Sequence, residues 1–178
     1  RREKLSSTQT LLNEIETAIG QEVGLHEYIE FKNARTEEHS VNIPCNEEYI
    51  SSFKALQKIY SIYVLTNHTT AFCNNALKML GLEDVIPEEN RVTLDKVMAT
   101  KPSDEVLSYL TNECGIQLER SIFIGDRERV DLEYVSNRAL QKILILNPDS
   151  LPKLNNRLLY PIEWAKEQTI DDCVFIDH

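Results

Sequence analysis

The chain has 178 residues, 42% hydrophobic and 27% charged, enough for one soluble domain with a real core and a small appendage. A net charge of -10 without any basic run argues against nucleic acid as a partner, although a local lysine can still dominate a pocket for a small anion. No apolar run approaches the ~18 residues of a membrane span, and the first residues do not read as a signal peptide; the expected setting is the cytoplasm, without membrane contact.

In chain order, residues 1–36 read as helical. Ser6, Ser7 and Thr8 offer caps, and Leu11, Leu12, Ile15, Ala18 and Ile19 recur at helical spacing. Gly20 and Gly24 punctuate, and Leu25, Tyr28, Ile29 and Phe31 suggest a second short helix. Asn33–Ser40 is a polar loop. Asn46–Tyr60 is the next helix, with Tyr49, Ile50, Phe53, Leu56 and Ile59 as its apolar side and Glu47 and Glu48 in the first turn, where the dipole favours acids. The pattern then changes. Ile62–Leu65 is a continuous apolar run, the mark of a strand covered on both faces, and it ends in Thr66-Asn67. A helix over Thr69–Leu80 is closed by Gly81. Asp84–Val85 and Arg91–Leu94 suggest short extended pieces. Lys101-Pro102 precedes a helix from Ser103 to Cys114, which Gly115 closes. Ile122–Ile124 reads as a short buried strand, Arg129–Asn137 as a helix and Ile143–Leu146 as a further buried strand. Beyond it, Trp164 with Ile162 and Ala165 suggests a short helix on the core, and Cys173–Ile176 is a last apolar run, ending in Asp177. Cys45, Cys73, Cys114 and Cys173 are widely spaced without a CxxC pair, so free thiols are expected rather than a zinc or redox site.

Strand and helix alternating in this way predict an α/β fold: a Rossmann-like doubly wound parallel sheet over residues 59–178, preceded by a helical region over residues 1–58. In such sheets ligands sit beyond the carboxyl ends of the strands. Ser121–Asp131, SIFIGDRERVD, places a glycine and two acids at such an end. The glycine permits close approach to the backbone, and two carboxylates suit a hard cation such as Mg²⁺. Each of these residues alone has a plainer meaning. Thr66 can be an ordinary strand end, Asn67 a turn residue, Lys101 a solvated surface lysine, and Asp126 and Asp131 solvated or capping acids. His68 can be an acid/base or merely a helix-start residue.

Three pieces fall in one order: an apolar strand ending in Thr66-Asn67, then Lys101-Pro102 before a helix, then Gly125-Asp126 with Asp131. Over roughly residues 60–146 they resemble motifs II, III and IV of the haloacid dehalogenase-like hydrolase superfamily, and the helical residues 1–58 then resemble the small helical cap that this superfamily often inserts after its first strand. The resemblance implies phosphoryl transfer from a small phosphorylated metabolite, with Mg²⁺ as cofactor. It implies that Thr66, with Asn67 beside it, hydrogen-bonds a phosphoryl oxygen. It implies that Lys101 offsets the charge shared by nucleophile and phosphate, and that Asp126 and Asp131 hold Mg²⁺. The superfamily's first motif, DxDx[TV], which carries its nucleophile, is not found, and no DxD occurs in the chain.

Three expectations follow from that gap. The sequence is a piece lacking the opening strand, since it begins abruptly without Met where a cap would begin. Or it is a non-catalytic relative that binds a partner or ligand. Or CVFID, Cys173–Asp177, supplies the strand by permutation, with Asp177 as nucleophile. A strand edge left unpaired would favour a homo-oligomer. Against a nucleotide-binding fold of another kind, neither GxGxxG nor GxxxxGK[ST] is present.

Overall fold

The computed structural model describes residues 7–35, 45–135, 137–145 and 173–176. The chain divides into two compact units, Arg1–Lys101 and Pro102–His178. Trp164 and its neighbours, and Asp177, lie outside the described residues.

In the first unit, helices α1 (Ser7–Ile19) and α2 (Leu25–Ala34) form where the apolar spacing predicts them. Leu12, Tyr28 and Ile29 are buried in one cluster with Leu94, flanked by Val23 and Leu25. Burying a large apolar side chain contributes roughly 1.5–3 kcal/mol, so this cluster is what holds two short helices in place. Helix α3 (Glu47–Gln57) is capped by Asn46, whose side chain accepts the Glu48 N–H at 2.9 Å. Its expected apolar side is only half used. Ile50 is buried and Phe53 packs beside it, whereas Tyr49, Leu56 and Ile59 are exposed. At 100° per residue, Tyr49 and Leu56 lie on the far side of Phe53 from Ile50, and the cluster covers only the Ile50 side.

That cluster joins Ile50 to Cys73, Leu77, Leu82, Val85 and Ile86. Cys73 and Leu77 come from α4 (Thr70–Met79), which ends at Gly81 as predicted. Glycine is required there twice over. Its φ of +68° is left-handed, and a Cβ would stand 2.8 Å from Ile50 Cδ1. Burial raises the Cys73 thiol above its ordinary range, against the opposing pull of Arg91 and Lys96, which makes it an inert core residue.

Strand β1 is short, Val64–Leu65 only, and half-buried, so the expected run of Ile62–Leu65 covered on both faces is corrected. It pairs in parallel with β2 (Arg91–Val92), Val64 opposite Arg91 and Leu65 opposite Val92. The Thr66 N–H extends the ladder to the Val92 carbonyl at 2.9 Å, and the Leu94 N–H reaches the His68 carbonyl at 2.9 Å. Arg91 is buried, 9% exposed. Its guanidinium donates to the Ile86 carbonyl at 2.8 and 2.6 Å, the Glu83 carbonyl at 2.7 Å and Asn74 Oδ1 at 2.9 Å. A short helix α5 (Leu94–Val97) follows β2.

In the second unit, α6 (Asp104–Asn112) buries Val106, Leu107 and Leu110, with Asp104 and Glu105 in its first turn. Strands β3 (Ile122–Gly125), β4 (Gln141–Ile145) and β5 (Cys173–Ile176) are parallel in the order β3-β4-β5. Ile124 pairs with Ile143, and Ile143 with Val174. The expected helix over Arg129–Asn137 is a π-helical turn, Glu128–Leu132, followed by a 3₁₀ turn, Glu133–Val135.

Two expectations change here. The described strands form a two-stranded and a three-stranded parallel sheet, so the architecture is α/β with small parallel sheets rather than one doubly wound sheet among the described residues. Nor is β3 buried: Ile124 is 61% exposed. Alternation puts Ile122 and Ile124 on one face, and β3 is paired on one side only among the described strands.

Candidate functional site

The end of β1 turns sharply. The Thr66 hydroxyl oxygen accepts the His68 N–H at 3.1 Å. A hydroxyl has one proton and two lone pairs, so accepting here leaves its O–H to donate elsewhere. His68 is exposed and stacks on Phe72, ring centroids 4.2 Å apart. That stacking accounts for its position without any acid/base role.

Asn67 reaches across 34 residues of chain to Lys101. Its Oδ1 accepts the Lys101 N–H at 2.7 Å, and its Nδ2 donates to the Lys101 carbonyl at 3.1 Å. Lys101 is 8% exposed, so it is not the solvated surface lysine its sequence context allows. Burying an ammonium costs free energy that a surface lysine avoids, which makes the position worth explaining chemically.

Asp95 also belongs to this neighbourhood, and the sequence reading missed it. Its Oδ1 accepts the Thr70 N–H at 2.8 Å and the Thr70 hydroxyl at 3.0 Å, while the Thr70 and Thr93 hydroxyls lie 2.7 Å apart. A carboxylate from α5 thus caps α4, whose N-cap residue Thr69 makes no side-chain capping bond. The pairing spans 25 residues and follows no local rule, so no sequence signal marked Asp95.

In the second unit, β3 delivers Gly125 and Asp126 to a loop that closes on itself. The Arg127 N–H donates to Asp131 Oδ2 at 3.1 Å, and the Asp131 N–H returns to the Arg127 carbonyl at 2.8 Å. Arg127 Nε stands 3.9 Å from the same carboxylate oxygen. Asp131 is buried and Asp126 exposed. The Asp131 side chain fills the space a Cβ at residue 125 would need: such an atom would overlap Asp131 Cβ and come 2.9 Å from its Cγ. Glycine is therefore present so that the second acid can lie against the strand end. Burial, and secondarily the Asp131 carboxylate, push the Tyr134 phenol well above its ordinary range; its buried hydroxyl has no hydrogen-bond partner among the described residues.

Thr66, Asn67 and Lys101 are thus brought together in the first unit, and Asp126 and Asp131 in the second. Asp177 lies outside the described residues. Among the described strands, the one before it, β5, pairs with β4 at the edge of its sheet opposite β3. The permuted arrangement calls instead for that strand at the centre. Among the described residues no group of three or more His, Cys, Asp or Glu is assembled around a cation position.

No described helix is long and apolar enough to cross a membrane. The family model of the haloacid dehalogenase-like hydrolases matches residues 5–143. No curated protein matches the chain. A match over that much of the sequence places it in the family: the chain belongs to the haloacid dehalogenase-like hydrolases.

Proposed function

From membership of the haloacid dehalogenase-like hydrolases as the premise, we propose that this chain is a Mg²⁺-dependent phosphohydrolase by lineage, acting on a small phosphorylated metabolite. One observation carries the proposal: a loop ending β1 and a lysine 34 residues later are tied together by the Asn67 amide, with Lys101 buried. Phosphoryl transfer needs positioning and charge neutralisation more than elaborate chemistry. In this reading the Thr66 hydroxyl donates to a phosphoryl oxygen, since its acceptor side is taken by the His68 N–H. Lys101 supplies the positive charge.

Asp126 and Asp131 are the proposed Mg²⁺ ligands. Their donor set fits a hard cation that keeps several waters, and the cradle at Gly125 holds the second carboxylate at the strand end. One oxygen of Asp131 is already engaged by the Arg127 N–H, which leaves the exposed Asp126 as the principal ligand. Bound there, Mg²⁺ would neutralise phosphate charge. The protein's own part is to hold the two carboxylates against the strand end and to place Lys101 by the bonds of Asn67 to its main chain. Residues 1–58 are the proposed cap, and the proposed setting is the cytoplasm.

The sequence offers one candidate nucleophile, Asp177, against which stands the place of β5, paired with β4 on the side away from β3. Hydrolysis of an aryl phosphate by the full chain with Mg²⁺ and with chelator, beside Asp177→Asn, is the test. Turnover that needs Mg²⁺ and falls by about 10⁶-fold in the variant is the expected result for a nucleophile. Turnover untouched by the substitution removes Asp177. A folded chain that binds phosphate without hydrolysing it favours the second reading, a non-catalytic binding protein on this scaffold, which the lack of any DxD supports.

A further inference from the structure

We propose that Asn67 is a positioning residue: its side-chain amide grips the main chain of Lys101 from both sides and so fixes where the Lys101 ammonium stands. The inference rests on the phosphohydrolase reading for its purpose, but its geometry stands apart from it. The bonds themselves settle which way the amide faces. Lys101 N–H can only donate and the Lys101 carbonyl can only accept, so Oδ1 must face the first and Nδ2 the second. One Nδ2 hydrogen is committed to Lys101 and the second is not, so action through Lys101 and direct contact with a bound anion are separate outcomes of the experiment.

Both partners are placed to make this grip matter. Asn67 is fixed from its own side, because the Thr66 N–H and the His68 carbonyl on either side of it are bonded to Val92 and Leu94. Lys101 lies outside any helix or strand, so no repeating ladder orders its main chain. Pro102 follows it, and a residue before proline is confined to extended conformations. Two bonds to one side chain then determine where the lysine leaves the backbone. Thr66 is covalently next to Asn67, so the same grip sets the spacing between the hydroxyl donor and the cation. Misplacing a group by about 1 Å can cost on the order of 10²-fold in the chemistry it supports.

The test has two arms on the full chain. The first is amine labelling, read lysine by lysine by mass spectrometry. Lys101 should label slowly in the native protein and about tenfold or more faster in Asn67→Ala. The exposed Lys54 and Lys58 report on reagent, and the buried Lys142 on general unfolding; none of the three should change. Unchanged labelling of Lys101, or equal acceleration at Lys142, overturns the proposal. The second arm is inorganic phosphate binding in Asn67→Ala, Lys101→Ala and the double variant. A residue that works through Lys101 loses its effect once the lysine is gone, so the two losses should not add. Additive losses mean that Asn67 contacts phosphate directly, and overturn the positioning role. A native chain that binds no phosphate defeats the phosphohydrolase reading, while the labelling arm still decides whether Asn67 holds Lys101.

Discussion

Replacing Arg91 with methionine lowers the unfolding free energy by about 3–5 kcal/mol, a large share of the 5–15 kcal/mol typical of a folded domain. Methionine fills much of the same volume, so the loss does not come mainly from a cavity. It comes from the carbonyls of Ile86 and Glu83 and the amide of Asn74, which the guanidinium satisfies with four bonds between 2.6 and 2.9 Å. A buried acceptor left without a donor costs about 1–3 kcal/mol. Every partner is neutral, so the arginine is bound by carbonyl dipoles rather than by a counter-charge. A lysine offers a single ammonium to three separated acceptors and should recover only part of the loss. Urea denaturation checks this: the midpoint should fall with an unchanged slope. A change under about 1 kcal/mol would mean that the segment from Glu83 to Ile86 is held by something other than Arg91.

The second large effect is expected at Gly125. An alanine there must displace Asp131, whose Cβ occupies the same space. Overpacking of this kind costs about 1–3 kcal/mol. The larger consequence falls on the acidic loop, because Asp131 also accepts the Arg127 N–H that closes it. Disturbing the supports of metal ligands typically lowers metal affinity 10–100-fold, and a loss of about that size in Mg²⁺ affinity is expected for Gly125→Ala. The clash is with the Cβ of Asp131, so Asp131→Gly should cost less stability in the Gly125→Ala background than in the native chain, without restoring Mg²⁺ affinity. Fully additive losses in the double variant would show that the glycine is needed for some reason other than the acid packed on it.

The helices were the most legible part of the sequence. Helix α4 could be bounded within a residue because Thr69 starts it and Gly81, at a φ of +68°, ends it. Asn46 and the acids after it marked the start of α3 equally well. Local rules failed where long-range contacts decide. The apolar side of α3 was visible, but only its Ile50 edge meets the α4 cluster, and nothing in its spacing says so. The exposure of Ile122 and Ile124 depends on what covers β3, not on the three apolar residues themselves. In the candidate site, the chain order of Thr66, Lys101 and Asp126 led to the right family, whereas the burial of Lys101 ran against the ordinary behaviour of lysine. Asp95 was invisible because it caps a helix that begins 25 residues before it. The role of Asn67 was half visible: its place after Thr66 marked it, but its partner could not be read from sequence.

The central claim is that the chain binds phosphate and Mg²⁺ as linked ligands. The most direct measurement is a calorimetric titration of inorganic phosphate into the full chain, once with Mg²⁺ and once with chelator, repeated with Asp126→Asn. Saturable binding that tightens with Mg²⁺, with the tightening lost in the variant, is the predicted result, since each ligand must raise the affinity for the other by the same factor. A folded chain that binds no phosphate, or binds it equally well with chelator and in Asp126→Asn, would contradict the account.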